Sequence, residues 1–344
     1  MGGNLLPTAG PIHELQGGAA TLKKILEVKN LRTCFHTPEG LVPAVDGVSF
    51  SISEGETLCI VGESGCGKSV TSMSIMKLLQ TPPAEYQSGE ILFDGVDLLQ
   101  LSQSEMAKYR GNRISMIFQE PMTALNPVYR VGHQIGEVLR LHKGQSKKTA
   151  FCNSIELLKI VGVPDPQRCA NSFPHQLSGG MRQRVMIAMA IACSPELLIA
   201  DEPTTALDVT VQAQILDLLA RMKKETGMTM MFITHDLGVV AEIATRVLVM
   251  YAGRIVEEAP CSQLFQDPKH PYTKGLMHCI PRVDELRNEL EVIRGQVPNL
   301  LNLPKGCRFA PRCPYCTDLC REQEPELKSV NGHGVVCHLA GQLT

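Results

Sequence analysis

Eight consecutive residues, Gly62, Glu63, Ser64, Gly65, Cys66, Gly67, Lys68 and Ser69, fit the pattern G-x-x-x-x-G-K-[ST], whose parts suit the phosphate tail of a nucleoside triphosphate. A turn this rich in glycine can wrap its backbone N–H groups around phosphate oxygens, because no side chains obstruct the approach. Lys68 adds a positive charge at the β- and γ-phosphates, and Ser69 offers a hydroxyl to Mg²⁺. A second constellation is the carboxylate pair Asp201 and Glu202, which closes the apolar run Glu196–Ala200. If that run is a strand of a parallel sheet, its C-terminal end opens onto the ligand crevice. Asp201 is then a partner for Mg²⁺, and Glu202 is placed to polarise an attacking water. A third constellation is Ser178, Gly179 and Gly180, ahead of the helical stretch Arg182–Cys193. A serine and two glycines at a helix N-terminus form another anion-binding cap. One phosphate tail does not need two caps, so the second makes sense if it serves a nucleotide held by another subunit.

The elements that must position these residues are legible around them. Thr57–Val61 is a short apolar strand feeding the glycine loop, and Val70–Leu79 carries apolar residues at helical spacing behind it. A helix starting there aims its positive N-terminal dipole at the same phosphate. Thr229–Ile233 reads as a further buried strand, and Val209–Lys224 as a long amphipathic helix with Val211, Ile215, Leu218, Leu219 and Met222 on one side. Ile25–Ile52 alternates like paired antiparallel strands, with a turn between Thr37 and Pro43. Val131–Leu141 and Lys148–Val161 carry helical periodicity. The expected fold class is therefore α/β: a phosphate-loop core with a parallel sheet, an antiparallel sub-sheet and a helical subdomain.

In this order the motifs resemble those of the ATP-binding subunits of ABC transporters. Leu177, Ser178, Gly179, Gly180 and Met181 match that family's signature motif, Gln119 its Q-loop glutamine, and Ala206–Asp208 its D-loop. His235, after the strand Thr229–Ile233, matches the switch histidine that contacts the γ-phosphate. The resemblance spans residues 25–260. It implies that two subunits sandwich two ATP molecules, each signature closing on the partner's phosphate loop. It further implies Mg²⁺ bound by Ser69, Gln119 and Asp201, catalysis by Glu202, His235, Lys68 and Gln119, and Asp208 at the dimer interface. Phe35 falls near where the family stacks an aromatic ring on adenine; a core phenylalanine is the other reading.

Composition limits the alternatives. The chain has 344 residues and a formal net charge of −2 from 33 basic and 35 acidic residues, so no general field favours nucleic acid. No apolar run approaches the roughly 18 residues that suggest a membrane span. Residues 1–24 read as a disordered lead-in without the pattern of a signal peptide. The thirteen cysteines, with no export signal, point to reduced thiols or metal ligation. Only one complete set of motifs is present, against a tandem-cassette ATPase of translation. The span from phosphate loop to signature is too short for the heptads of a chromosome-maintenance ATPase. A metal-sensing protein with regulatory ATP is disfavoured by the complete Gln119, Asp201, Glu202 and His235 set.

Beyond residue 260 the text changes to a segment punctuated by Pro304, Pro311 and Pro314 and holding Cys307, Cys313, Cys316, Cys320 and Cys337. Loop-rich chain with few large apolar residues needs a staple, and a metal is the one compatible with reduced thiols. Residues 261–344 resemble the C-terminal extension of the ATPases that power oligopeptide, dipeptide and nickel importers. That resemblance implies a [4Fe–4S] cluster on Cys307, Cys313, Cys320 and Cys337, with zinc as the alternative and Cys316 as an extra thiol. It also implies a heterodimer with a second, related ATPase, two membrane-spanning permease subunits and a solute-binding protein, with this chain peripheral on the cytoplasmic face of the membrane.

Overall fold

The computed structural model describes residues 23–205, 207–279 and 293–343. In the order of the chain the strands are β1 (Lys24–Thr37), β2 (Gly40–Ser53), β3 (Thr57–Val61), β4 (Ala84–Phe93), β5 (Val96–Asp97) and β6 (Ile114–Ile117). They continue as β7 (Leu197–Asp201), β8 (Thr229–Ile233), β9 (Arg246–Tyr251), β10 (Arg254–Pro260), β11 (Leu327–Val330) and β12 (His333–Val336). Among the described residues they form two sheets, ordered β2-β1-β4-β5 and β11-β12-β10-β9-β3-β8-β7-β6.

The smaller sheet is the expected antiparallel one: β1 pairs with β2 from Lys24↔Ser53 to Thr37↔Gly40, and β4 lies along its other edge. In the larger sheet β9, β3, β8, β7 and β6 run parallel. Every residue of β3, β6, β7 and β8 is buried, as expected of strands covered on both faces. The sequence expectations for Thr57–Val61 and Thr229–Ile233 coincide with β3 and β8. The helix after the glycine loop runs Lys68–Ile75, shorter than Val70–Leu79 suggested. Lys77 adopts a left-handed φ of 49°, and Leu78 N–H returns to the Met73 carbonyl at 2.9 Å, a turn that ends the helix whatever its apolar spacing.

The helical part comprises Val131–Lys143, Lys147–Ile160 and Pro166–Asn171, and leads into Gly179–Ile191. Its apolar residues Val131, Ile135 and Leu158 share one cluster with Val185, Ile187, Leu198 and Ala200, so these helices rest on the sheet without a core of their own.

The extension is equally integrated. β12 joins the exposed side of β10 through Glu257↔Val335 and Glu258↔Gly334, and β11 pairs with β12 in turn. The fully buried Glu257 carboxylate accepts the N–H groups of Lys269 and His270, each at 2.8 Å, and contacts His333 Nδ1 at 2.9 Å. The β11–β12 hairpin thus continues the larger sheet. No helix among the described residues is long and apolar enough to cross a membrane.

Candidate nucleotide site

Four neighbouring strands of the larger sheet deliver the site from their C-terminal ends. β3 leads into the glycine loop, β7 ends in Asp201 and Glu202, β8 is followed by His235, and β6 by Gln119. The loop is locked by backbone approach. A Cβ on Gly62 would lie 2.2 Å from the Met250 carbonyl oxygen, and one on Gly67, at φ 103°, would lie 2.4 Å from that of Ala44. Only glycine permits these passages. Gly67 then starts the helix Lys68–Ile75. Lys68 is 4% exposed, and its Nζ donates to the carbonyls of Gly62 and Glu63 at 2.8 and 3.0 Å. Cys66 is buried beneath the loop, and burial raises its thiol pKa. Ser64 and Gly65 form the exposed tip.

Asp201 and Glu202 do different things. The Asp201 carboxylate accepts from Ser69 Oγ at 3.1 Å and Ser72 Oγ at 3.4 Å. Burial, more than these hydroxyls can offset, pushes its pKa upward. A desolvated carboxylate beside a serine hydroxyl and a phosphate loop is the oxygen-rich donor set that Mg²⁺ accepts, and these residues fit that ion. Glu202 turns away into the cleft because its own φ is 46°, an uncommon conformation for glutamate. Its N–H returns to the Ile233 carbonyl at 2.9 Å. Its carboxylate accepts from Gln119 Nε2 at 3.0 Å and Thr205 Oγ1 at 2.9 Å, and lies 3.2 Å from His235 Nδ1. The cleft between this carboxylate and the glycine loop has a volume of about 150 Å³, lined by Ala44, Ser64, Gly65, Gly67, Lys68, Ser69, Val70, Gln119 and Glu202. Gln119 and His235 therefore meet at Glu202, and Ser69 meets Asp201 beside them, joined by Thr205 and Ser72, which the sequence does not single out.

The signature residues lie elsewhere. None of Leu177–Met181 lines that cleft. Ser178 caps the helix Gly179–Ile191, its Oγ accepting from Met181 N–H at 3.3 Å. Ser178 and Gly179 are exposed, and a Cβ on Gly179 would meet nothing within 4 Å. Gly180 lies against Val211, in the first turn of the helix Val209–Thr226, whose N-cap is Asp208 (Oδ1 to Val211 N–H, 2.9 Å). Ala206 lies outside the described residues. Phe35 is half-buried on β1 and belongs to neither apolar core cluster.

Two supports of the glycine loop come from far along the chain and escaped the sequence reading. Tyr272 is fully buried on the helix Pro271–His278, and its hydroxyl accepts Glu63 N–H at 2.9 Å. Arg312 makes a two-armed ion pair with the Glu63 carboxylate. No local signal foretells a partner some 250 positions away.

Among the described residues, the cysteine segment gathers thiols without assembling a metal site. Cys307 N–H donates to the Cys320 carbonyl at 2.8 Å, and Cys307, Cys313, Cys320 and Cys337 are close enough for thiolate charges to repel one another. Burial pushes the thiols of Cys307 and Cys313 up to about 11. Cys316 is directed instead to the Thr317 carbonyl. Yet among the described residues no group of three or more His, Cys, Asp or Glu side chains is assembled to hold a metal ion. Closed loops and apolar packing gather these thiols, and the geometry of a formed cluster or zinc site is not preset.

Comparison with known proteins gives the same architecture. Residues 45–205 match the family model described as ABC transporter, and residues 256–320 the one described as oligopeptide/dipeptide transporter, C-terminal region. The oligopeptide transport ATP-binding protein OppD of Bacillus subtilis is 54% identical over 309 residues, covering 90% of this chain and 86% of that protein. The dipeptide transport ATP-binding protein DppD of Haemophilus influenzae is 50% identical over 314 residues, covering 91% and 95%. Among solved structures, a dimeric ATP-binding cassette in a post-hydrolysis state with ADP and Pi superposes with a TM-score of 0.62 at 31% identity, covering 69% of this chain and 98% of that one. The fold and site define an ABC-type ATPase. The chain belongs to the ATP-binding subunits of ABC transporters, in the branch marked by the oligopeptide/dipeptide transporter C-terminal region.

Proposed function

We propose that this chain supplies ATP-driven closure to a membrane importer of short peptides. The observation that carries the reading is the convergence of Gln119, Thr205 and His235 on the Glu202 carboxylate, across a cleft from Lys68 and Ser69. Gly62–Ser69 bind the phosphates of ATP, with the backbone N–H groups of the loop and Lys68 matching their charge. Ser69, Asp201 and Gln119 are the residues that would hold Mg²⁺, which when bound neutralises charge on the β- and γ-oxygens. Glu202, held by Gln119 and Thr205, orients water for in-line attack and accepts its proton. His235 stabilises the transferring group, and Phe35 supports the base.

Ser178, Gly179 and Gly180 are presented to the ATP of a second ABC ATPase, with Asp208 on the same face. The open space above Gly179 supports this, since the fold of this chain alone does not require a glycine there. A heterodimer on two permease subunits, fed by a solute-binding protein, places the chain on the cytoplasmic face of the membrane. The names of the relatives support peptides as cargo; nickel, which rests only on the resemblance of the extension, is the alternative. A [4Fe–4S] cluster on Cys307, Cys313, Cys320 and Cys337 rests on spacing and on the gathered thiols, and no step of ATP turnover passes through it. Iron, sulfide and zinc analysis after anaerobic purification tests that part; folded, metal-free protein rejects it.

The experiment that tests the whole reading is a gentle-detergent pull-down of tagged Glu202→Gln protein with ATP from its native cells. Two multispanning proteins and a second ATPase are expected. Recovery of ribosomal or DNA-repair proteins with no membrane partner overturns it.

A further inference from the structure

The loop between Cys307 and Cys313 carries two arginines that leave the extension and end on the nucleotide-binding half of the fold. Arg308 donates to the Ala252 carbonyl at 2.5 Å and pairs with Asp46 on β2. Arg312 reaches the glycine loop itself. Its Nη1 and Nη2 donate to the two carboxylate oxygens of Glu63 at 2.5 and 3.0 Å. Its other N–H groups donate to the carbonyls of Arg294 (3.0 Å) and Ile293 (3.2 Å) and to the Tyr251 hydroxyl (3.5 Å). All five guanidinium donors are thereby used, on a side chain 3% exposed. Such a buried fork differs from a solvated surface pair, and lysine could not reproduce it.

What Arg312 grips is a loop residue held at three points. Glu63 N–H is held by Tyr272, its carbonyl accepts Lys68 Nζ, and its side chain is held by Arg312. The position of that carbonyl helps decide where the Lys68 ammonium sits.

We propose that Arg312 is a positioning residue for nucleotide binding: by fixing Glu63 it sets the geometry of the phosphate loop, so the extension is a working part of the ATP site. The inference rests on reading Gly62–Ser69 as the phosphate site. Its test is calorimetric titration of the full-length chain with Mg²⁺-ATP, together with amide hydrogen exchange. Arg312→Gln raises the Kd about tenfold, the loss of one buried charge-assisted contact, and speeds exchange across residues 62–69. Glu63→Gln does the same, and the double variant is no worse than either alone. Arg312→Lys falls between, and Arg321→Ala, an exposed charge of the same extension, matches wild type.

A Kd within twofold of wild type for Arg312→Gln, with faster exchange confined to residues 293–343, overturns the proposal by making Arg312 a staple of the extension only. Additive effects of the two Gln variants overturn its route through Glu63. Should Arg312→Gln not fold, wild-type affinity and exchange in Arg312→Lys also overturn it. Lys68→Ala separates the underlying reading: unimpaired ATP binding there removes the phosphate site itself, whatever Arg312 does.

Discussion

The chain holds two glycine-bearing caps at helix N-termini, and they are built in opposite ways. Around Gly62–Ser69 the backbone is pinned by Met250 and Ala44, and Glu63 by Tyr272, Lys68 and Arg312. Around Ser178–Met181 the cap uses one hydroxyl on its own helix and leaves Gly179 facing open space. The first cap is finished by its own chain. The second is left open by its own chain, as a half-site of the function proposed above would be.

The comparison breaks most easily at Lys68. Lys68→Ala is expected to weaken ATP binding by the lone chain at least about a hundredfold, because a charge-assisted contact in a water-poor loop is lost. Ser178→Ala should leave that affinity alone while cutting turnover in the assembled complex. Calorimetry beside an ATPase assay reads both, and equal effects on lone-chain binding would erase the distinction. Next, Glu202→Gln should lower turnover by about 10²–10³-fold with ATP still bound. Near-normal turnover removes Glu202 as the base.

A pair of alanine substitutions sharpens the contrast in stability. Gly62→Ala drives a Cβ into backbone and should cost about 2–4 kcal/mol, whereas Gly179→Ala should stay within about 0.5 kcal/mol. Denaturant titration of the two variants decides; similar losses would mean that the signature turn is packed after all.

The smallest effect concerns Asp201. Its pKa is raised by burial above the ordinary 3.8, so the folded chain keeps this proton to higher pH than the unfolded chain. Stability from the protonated form is therefore lost as pH rises from 3.8 through the raised value. Asp201→Asn should melt slightly higher than wild type at neutral pH without Mg²⁺ and show a weaker decline above pH 4. A lower melting point at pH 7 contradicts that account.

Most of the site was readable because its parts are local. A glycine loop after an apolar strand, and a carboxylate pair ending another, declare themselves within eight residues. Ordering them along one sheet edge needed only the parallel-strand rule. The unread parts are of two kinds. Ser72, Tyr272 and Arg312 matter through contacts that only tertiary packing creates, and Thr205 through a tight turn that returns its hydroxyl to Glu202 three residues back. Glu202 aims into the cleft through a left-handed φ that no glutamate advertises. The helix behind the loop was overextended because apolar spacing continued past Lys77, where the backbone turns. Cysteine spacing spoke of a metal centre, but spacing fixes neighbourhood and not the orientation of sulfur atoms.

The pairing of β12 with β10 also bears on how the protein is made. Glu257 waits for Val335, 78 residues later in the chain. At a synthesis rate of about 5–20 residues per second, the edge of β10 is without its partner for about 4–16 s on each translating ribosome. Arg312 also emerges within that interval, so Glu63 gains this restraint only long after its own loop has been made.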